Sequence, residues 1–311
     1  MPDVSLYCFA ATTFTKSGAI DEAAFREFLQ RFIDAKIGLY LGSGGGGEGH
    51  ALTMPELRRV YEIGVDECKG RIPVHANPPE QHTARLAIEH TQLAVEAGIE
   101  VVHLYHLPGW HGMRPTDAEL MAYYDRILSA VRHPMTISVN PSMGYTPKAS
   151  LIAAVCRKYP QVVAAKLSSV PDAYLVDLMN MIDRDISYYV QPGGSMNALA
   201  LGADGIFSTE ANLVPKTLRR YLDLYEEGDF NGAGIAYAYL RSFDQYVRKW
   251  NPSIPRWIKM GMKALKLPGG EGGPREPYRL PAAEEMARFT EGLLALGVPE
   301  IDEQARAAGL R

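Results

Sequence analysis

The 311-residue sequence predicts an α/β protein of the (β/α)8 TIM-barrel class with a C-terminal helical extension, on three observations. Short apolar runs rich in β-forming residues recur eight times. Helix-patterned segments such as DEAAFREFLQRFIDA (21–35) lie between most of them, and strands alternating with helices imply right-handed crossovers and a parallel sheet. Eight such units within less than ~250 residues, without a phosphate-binding glycine fingerprint, fit a barrel better than a doubly wound sheet.

The strands are read in order as VSLYCFAA (4–11), IGLYLG (37–42), IPVHAN (72–77), VVHLYH (101–106), MTISVN (135–140), VVAAKLS (162–168), ISYYVQ (186–191) and GIFSTE (205–210). From about Asn212 the pattern turns helical, through LRRYLDLYEEG, GAGIAYAYLRSFDQYVRKW, IPRWIKMGMKALKL and AAEEMARFTEGLLAL. That is more helix than a barrel needs. The expected division is a barrel over 1–225 and a helical region over 226–311, with the Gly/Pro-rich stretch 267–281 as a connector inside the latter.

Composition narrows the function. The chain is 47% hydrophobic, and its 32 Lys and Arg against 36 Asp and Glu give a net charge of −4. No basic block stands out, which argues against nucleic acid or an anionic membrane surface as partner. No stretch approaches the ~18 apolar residues of a spanning helix. The opening MPDVSLYCFAATTF lacks the basic and apolar regions of a signal peptide. Cys8, Cys68 and Cys156 show no CxxC spacing and read as reduced thiols of a cytoplasmic protein, neither a disulfide frame nor a metal site.

In such a barrel the chemistry sits at the C-terminal strand ends. Lys166 interrupts the apolar run of the sixth strand near its end. Directed into the barrel, it would lose solvation, its pKa would fall, and a neutral amine able to form a Schiff base would result. The competing reading is a lysine reaching out to solvent or paired with a carboxylate. Side-chain alternation places His75, Asn77, His103, Tyr105, Thr136, Ser138, Asn140, Gln191, Ser208 and Glu210 inward with it. The loop GSGGGGEGH (42–50) offers backbone N–H groups to an anion such as a carboxylate, or is simply a flexible connector.

Several segments together resemble one family. TTFTKSGAID (12–21), GGGGE (44–48) with the following ALT, VAAKLSS (163–169), GADGIFS-x-x-x-N-x-x-P (202–215) and the later KAL and REP are similar, in order and spacing, to motifs of the dihydrodipicolinate synthase/N-acetylneuraminate lyase family. The resemblance spans about residues 4 to 297. It implies a (β/α)8 barrel with a C-terminal helical domain, and class I aldolase chemistry on pyruvate or another 2-keto acid. It also implies Lys166 as the Schiff-base residue, no cofactor, and a homo-oligomer, dimer or tetramer. The chain departs from the family pattern at several places, among them the tyrosine pair after the fourth strand, which becomes Tyr105-His106 with a longer loop behind it. Ser138 occupies the position of the catalytic tyrosine, Met143 that of an arginine binding the second substrate, and Gly45 and Gly46 those of two threonines.

The expectation is therefore a lyase other than a true dihydrodipicolinate synthase. Lys166, Ser138, Tyr105 and His106 are its candidate catalytic residues. Gly45, Gly46, Gly47, Glu48, Met143, Gln191, Gly193, Ser208 and Glu210 are the candidate substrate contacts. His103 and His106 are weighed as replacements for the lost proton relay, since imidazole titrates near neutrality. The alternative is a barrel that binds keto acids without turning them over. A metal-dependent aldolase using His75, His103 and Glu210 is a more distant third.

Overall fold

A computed structural model of the chain describes residues 6–250 and 254–311. Val4 and Ser5 of the first expected strand therefore lie outside the described residues. Eight strands are hydrogen-bonded in sequence order as a closed barrel: β1 (Leu6–Phe9), β2 (Gly38–Leu41), β3 (Val74–Ala76), β4 (Val101–Tyr105), β5 (Met135–Val139), β6 (Val162–Leu167), β7 (Ser187–Val190) and β8 (Gly205–Ser208). Each falls inside a run expected to be a strand. Every residue of β1, β2, β3, β5 and β8 is buried, as strands covered on both faces require.

The helices between them are α1 (Glu22–Asp34), α2 (Met54–Cys68), α3 (Ala84–Glu96), α4 (Asp117–Ala130), α5 (Ala149–Lys158), α6 (Asp172–Met181), α7 (Ser195–Ala200) and α8 (Pro215–Glu226). Local chemistry starts them. The Asp21 side chain accepts from the Ala24 N–H at the head of α1, whose Phe25, Phe28, Leu29 and Phe32 form one buried stripe. Reciprocal capping boxes, Thr53 with Glu56 and Thr116 with Glu119, open α2 and α4. The helical extension is α9 (Phe230–Trp250), α10 (Ile254–Ala264), α11 (Ala283–Leu294) and α12 (Pro299–Ala307). None of the described helices is long and apolar enough to cross a membrane.

The chain parts into two compact units, Met1–Val74 with Ser208–Arg311, and His75–Phe207. In the first, Asn212 is fully buried and ties the turn after β8 to the end of β1. Its Nδ2 donates to the carbonyls of Phe9 (2.9 Å) and Thr209 (2.8 Å), and its Oδ1 accepts from the Ala11 N–H at 2.8 Å. The 267–281 segment packs closely against the residues that follow β1. A Cβ on Gly272 would stand 1.6 Å from the Phe14 carbonyl oxygen, so only glycine fits there. Arg275 fastens the segment with a bidentate pair to Glu56 (2.9 and 2.5 Å) and a bond to the Gly18 carbonyl at 2.8 Å.

In the second unit, a continuous core of β4–β7 aliphatics packs on α4, α5 and α6. Register there decides which side chains share a face. Tyr105 pairs with Ser138, Ser138 with Lys166, Lys166 with Tyr189, and Tyr189 with Gly205. Two residues earlier along the strands, His103 pairs with Thr136, Thr136 with Ala164, and Ala164 with Ser187.

Candidate active site

Lys166 is the centre of the second unit's polar row. Only 2% of it is exposed, and it lies on the same face as Tyr105 and Ser138. Its Nζ stands 4.7 Å from the ring centroid of Phe207 and 5.2 Å from that of Tyr105. Burial drives its pKa well below the ordinary lysine value, with a smaller opposing pull from Glu80. The lysine that reaches out to solvent, weighed from the sequence, is not what the fold contains.

Around it the polar groups are arranged in order. The Asn77 amide donates to the Tyr105 hydroxyl at 3.2 Å, fixing that phenol. Ser138 is fully buried, and its Oγ has no hydrogen-bond partner among the described residues. In a folded interior such a hydroxyl calls for an explanation. The His103 ring meets the Tyr105 ring edge-on at 4.5 Å. Burial, then the neighbouring Lys166 and His75, push the His103 pKa well below 6.5, and burial alone takes His75 to about 3. Both imidazoles are therefore neutral at physiological pH.

Other expected members stand elsewhere. His106 follows Tyr105 and so points to the opposite strand face. There its ring nitrogens lie 3.1 Å from the Asn140 carbonyl oxygen and 3.3 Å from that of Leu107, and its ring stacks edge-on with Tyr145 at 4.8 Å. Register corrects the inward direction expected for Ser208, while Glu210 lies beyond the strand in a 3-10 turn. Because Gly205 pairs in the row of Tyr189 and Lys166, the residue two further on, Phe207, shares the lysine's face, and Ser208 takes the other. Within the first unit Ser208 Oγ donates to Glu210 at 2.8 Å. Glu210 also accepts from the Thr209 N–H at 3.1 Å and pairs with Arg248 at 3.6 Å. Gln191 accepts from the Ser169 hydroxyl at 2.8 Å, and Gly193 lines a small hollow with Leu167, Ser169 and Val190. Met143 is half-buried, and its carbonyl accepts from Gly109 N–H at 2.6 Å.

The glycine loop belongs to the first unit. Its later N–H groups are occupied: Gly47 donates to Ser43 Oγ (2.8 Å), Glu48 to the Gly45 carbonyl (3.1 Å) and Gly49 to the Ser43 carbonyl (2.8 Å). Those of Gly44, Gly45 and Gly46 have no acceptor among the described residues. Three successive unoccupied N–H groups form the kind of concavity that takes an anion. Glu48 lies beneath the loop. It is fully buried, with its carboxylate held by Lys259 and the Arg275 N–H, so its side chain supports the loop.

Phe207, Lys259 and Arg275 are the residues that the sequence reading missed. The signal for Phe207 was the register of the eighth strand, off by one in the alternation assumed. Lys259 and Arg275 act on residues more than 200 positions away, which no local pattern reports. Among the described residues, no group of three or more His, Cys, Asp or Glu side chains is gathered to hold a metal ion.

Comparison with known proteins identifies the lineage. The family profile described as the dihydrodipicolinate synthetase family matches residues 4–294. The chain belongs to the dihydrodipicolinate synthetase family. Its relatives include the 4-hydroxy-tetrahydrodipicolinate synthase of Acidithiobacillus ferrooxidans, 29% identical over 83% of this chain and 89% of that one. Another is the 4-hydroxy-tetrahydrodipicolinate synthase of Maridesulfovibrio salexigens, 25% identical over 97% of both. Among solved structures, the fold is shared with dihydrodipicolinate synthase from Aquifex aeolicus (TM-score 0.83, 22% identity, 95% of this chain and 99% of that one). It is shared too with a prophage protein of the dihydrodipicolinic acid synthase family from E. coli K12 solved in complex with pyruvate (TM-score 0.84, 20% identity, 94% and 98%). N-acetylneuraminate lyase from Mycoplasma synoviae is a third (TM-score 0.78, 18% identity, 94% and 97%). The dihydrodipicolinate synthetase family consists of Schiff-base pyruvate aldolases, lyases by class that act on small keto acids.

Proposed function

We propose that this protein is a Schiff-base lyase acting on pyruvate or another 2-keto acid through Lys166, with an aldol-cleavage, hydration–cleavage or dehydration activity distinct from dihydrodipicolinate synthesis. The burial of Lys166 among Phe207, Tyr105 and Ser138 carries the reading. It favours the neutral, nucleophilic form of the amine. The replacement of the family tyrosine by Ser138 and of the arginine by Met143 argues against the dihydrodipicolinate reaction itself.

In the proposed chemistry the Lys166 nitrogen lone pair adds to the ketone carbon. The carbinolamine hydroxyl leaves as water after protonation, giving an iminium. In the cleavage a base takes the proton of the substrate hydroxyl on the carbon beyond the bond to be broken, that fragment leaves as an aldehyde, and the iminium accepts the electron pair of the broken carbon–carbon bond, leaving an enamine. Protonation of that enamine carbon and hydrolysis return the keto acid and free lysine. Ser138 and the Asn77-held Tyr105 are the hydroxyls placed to move protons, and neutral His103 beside Tyr105 is a further acceptor. The role of binding the substrate carboxylate, which the motif resemblance implies for Gly45 and Gly46, suits their unoccupied N–H groups. A cytoplasmic homo-oligomer, dimer or tetramer, completes the reading.

Intact-mass measurement after incubation with a panel of 2-keto acids and sodium borohydride, followed by peptide mapping, tests it. A reduced adduct on Lys166, absent from Lys166→Met, is the expected result. Reversible keto-acid binding with no adduct from any of the panel overturns the lyase reading and leaves a keto-acid-binding barrel.

A further inference from the structure

Beneath the glycine loop lies an ion pair that the chemistry above does not use. The Glu48 and Lys259 side chains are each 0% exposed, with Nζ and Oε1 3.4 Å apart. Lys259 comes from α10, donates to the Thr12 carbonyl, and stands 4.8 Å from the Phe14 ring centroid. The second Glu48 oxygen accepts from the Arg275 N–H at 2.8 Å, and the Arg275 guanidinium covers the Phe14 ring at 4.4 Å. Thr12 in turn donates its hydroxyl to the Gly47 carbonyl at 2.7 Å. One buried cation thus grips the loop twice, directly through Glu48 and through Thr12 on Gly47.

The loop needs such a grip. Glu48 has φ 54° and ψ 29°, the left-handed region that a non-glycine residue occupies only when its surroundings impose it. Four consecutive glycines before it have no conformational preference of their own. Two buried charges carry a large desolvation penalty, and similar-sized apolar residues would often serve stability as well or better. A pair retained there calls for a reason other than stability.

We infer that Lys259 is a positioning residue that, through Glu48 and Thr12, holds the Gly44–Gly49 loop in the conformation that leaves the Gly44, Gly45 and Gly46 N–H groups open to a substrate carboxylate. This rests on the Schiff-base reading and adds to it a residue of the helical extension acting on carboxylate affinity.

The experiment compares borohydride trapping on Lys166 by pyruvate and by acetone, a ketone with no carboxylate. It uses the wild-type full chain, Glu48→Gln, Lys259→Met and the double variant Lys259→Met/Glu48→Gln. The double variant keeps the volume and leaves no lone buried charge, so it stays folded if the single lysine variant does not. The expected result is a tenfold or greater rise in half-saturating pyruvate for the double variant. Its maximal adduct yield and its trapping by acetone stay within twofold of wild type, with a smaller rise for Glu48→Gln. An unchanged half-saturation for pyruvate overturns the inference. So does an equal loss with pyruvate and acetone, which would mark a merely structural role. A wild-type protein that traps neither ketone removes the Schiff-base reading, and this inference with it.

Discussion

Ser138 stands where the motif resemblance implies a catalytic tyrosine. Its Oγ is buried without a partner, so removing it sacrifices no protein hydrogen bond and relieves an unsatisfied group. Ser138→Ala is expected to keep thermal stability within about 0.5 kcal/mol of wild type while slowing imine formation roughly 10²-fold, the scale of one proton-transfer group. Stopped-flow formation of the pyruvate adduct, beside a melting curve, checks both halves. Lys166 makes the converse case. Its folded pKa lies well below its unfolded value, because burial disfavours the charged amine that the unfolded chain keeps in water. That opposes folding at neutral pH and lapses as pH rises through the ordinary lysine pKa near 10.5. Lys166→Met is therefore expected to melt higher than wild type at pH 7, with the gain shrinking toward pH 10.5, and to form no adduct. A variant that melts lower would contradict the account of the burial.

At the scale of elements, the glycine loop separates two positions that look equivalent in sequence. A Cβ on Gly45 would meet only Ile254 Cδ1 at 3.6 Å, an ordinary contact, whereas one on Gly46 would stand 2.9 Å from the Phe9 carbonyl oxygen. Threonine, the residue that the motif resemblance implies at both positions, is expected to be tolerated in Gly45→Thr and to cost about 1–3 kcal/mol in Gly46→Thr, as overpacking against backbone does. Urea titration of the two variants distinguishes them. The loop also marks how far sequence reading went. All eight strands were legible, because a buried parallel strand writes itself as a short apolar run. Lys166 was legible because it breaks such a run. The faces of β8 were not, since an alternation started one residue off inverts every side chain, and that put Ser208 inward in place of Phe207. The direction of the Glu48 carboxylate was not legible either, because the pattern marks the loop and says nothing of which way a side chain turns.

Across the whole molecule, acid is the condition to which these buried groups respond together. His75 is held at about pKa 3 by burial, and His103 is depressed by burial and by its neighbours Lys166 and His75. Below pH 6.5 the unfolded chain takes up protons at these positions that the folded chain refuses. Stability should then fall on acidification from about pH 6.5 toward 3, by roughly 1.4 kcal/mol per pH unit per fully depressed site. His75→Leu is expected to flatten that fall, measured as denaturation midpoints across pH 4–7; an unchanged slope would show that other groups govern it. The Lys259–Glu48 pair bears on how the chain can be divided. The helical extension looks, from its composition, like an appendage that could be trimmed to leave a minimal barrel. A chain ending at residue 253 would instead abandon Glu48 inside the protein with neither Lys259 nor the Arg275 N–H, and Phe14 without the two cations over its ring. The tail is thus a structural component of the first βα units, and inheritance or engineering can exchange the two ends of this chain only as a matched set.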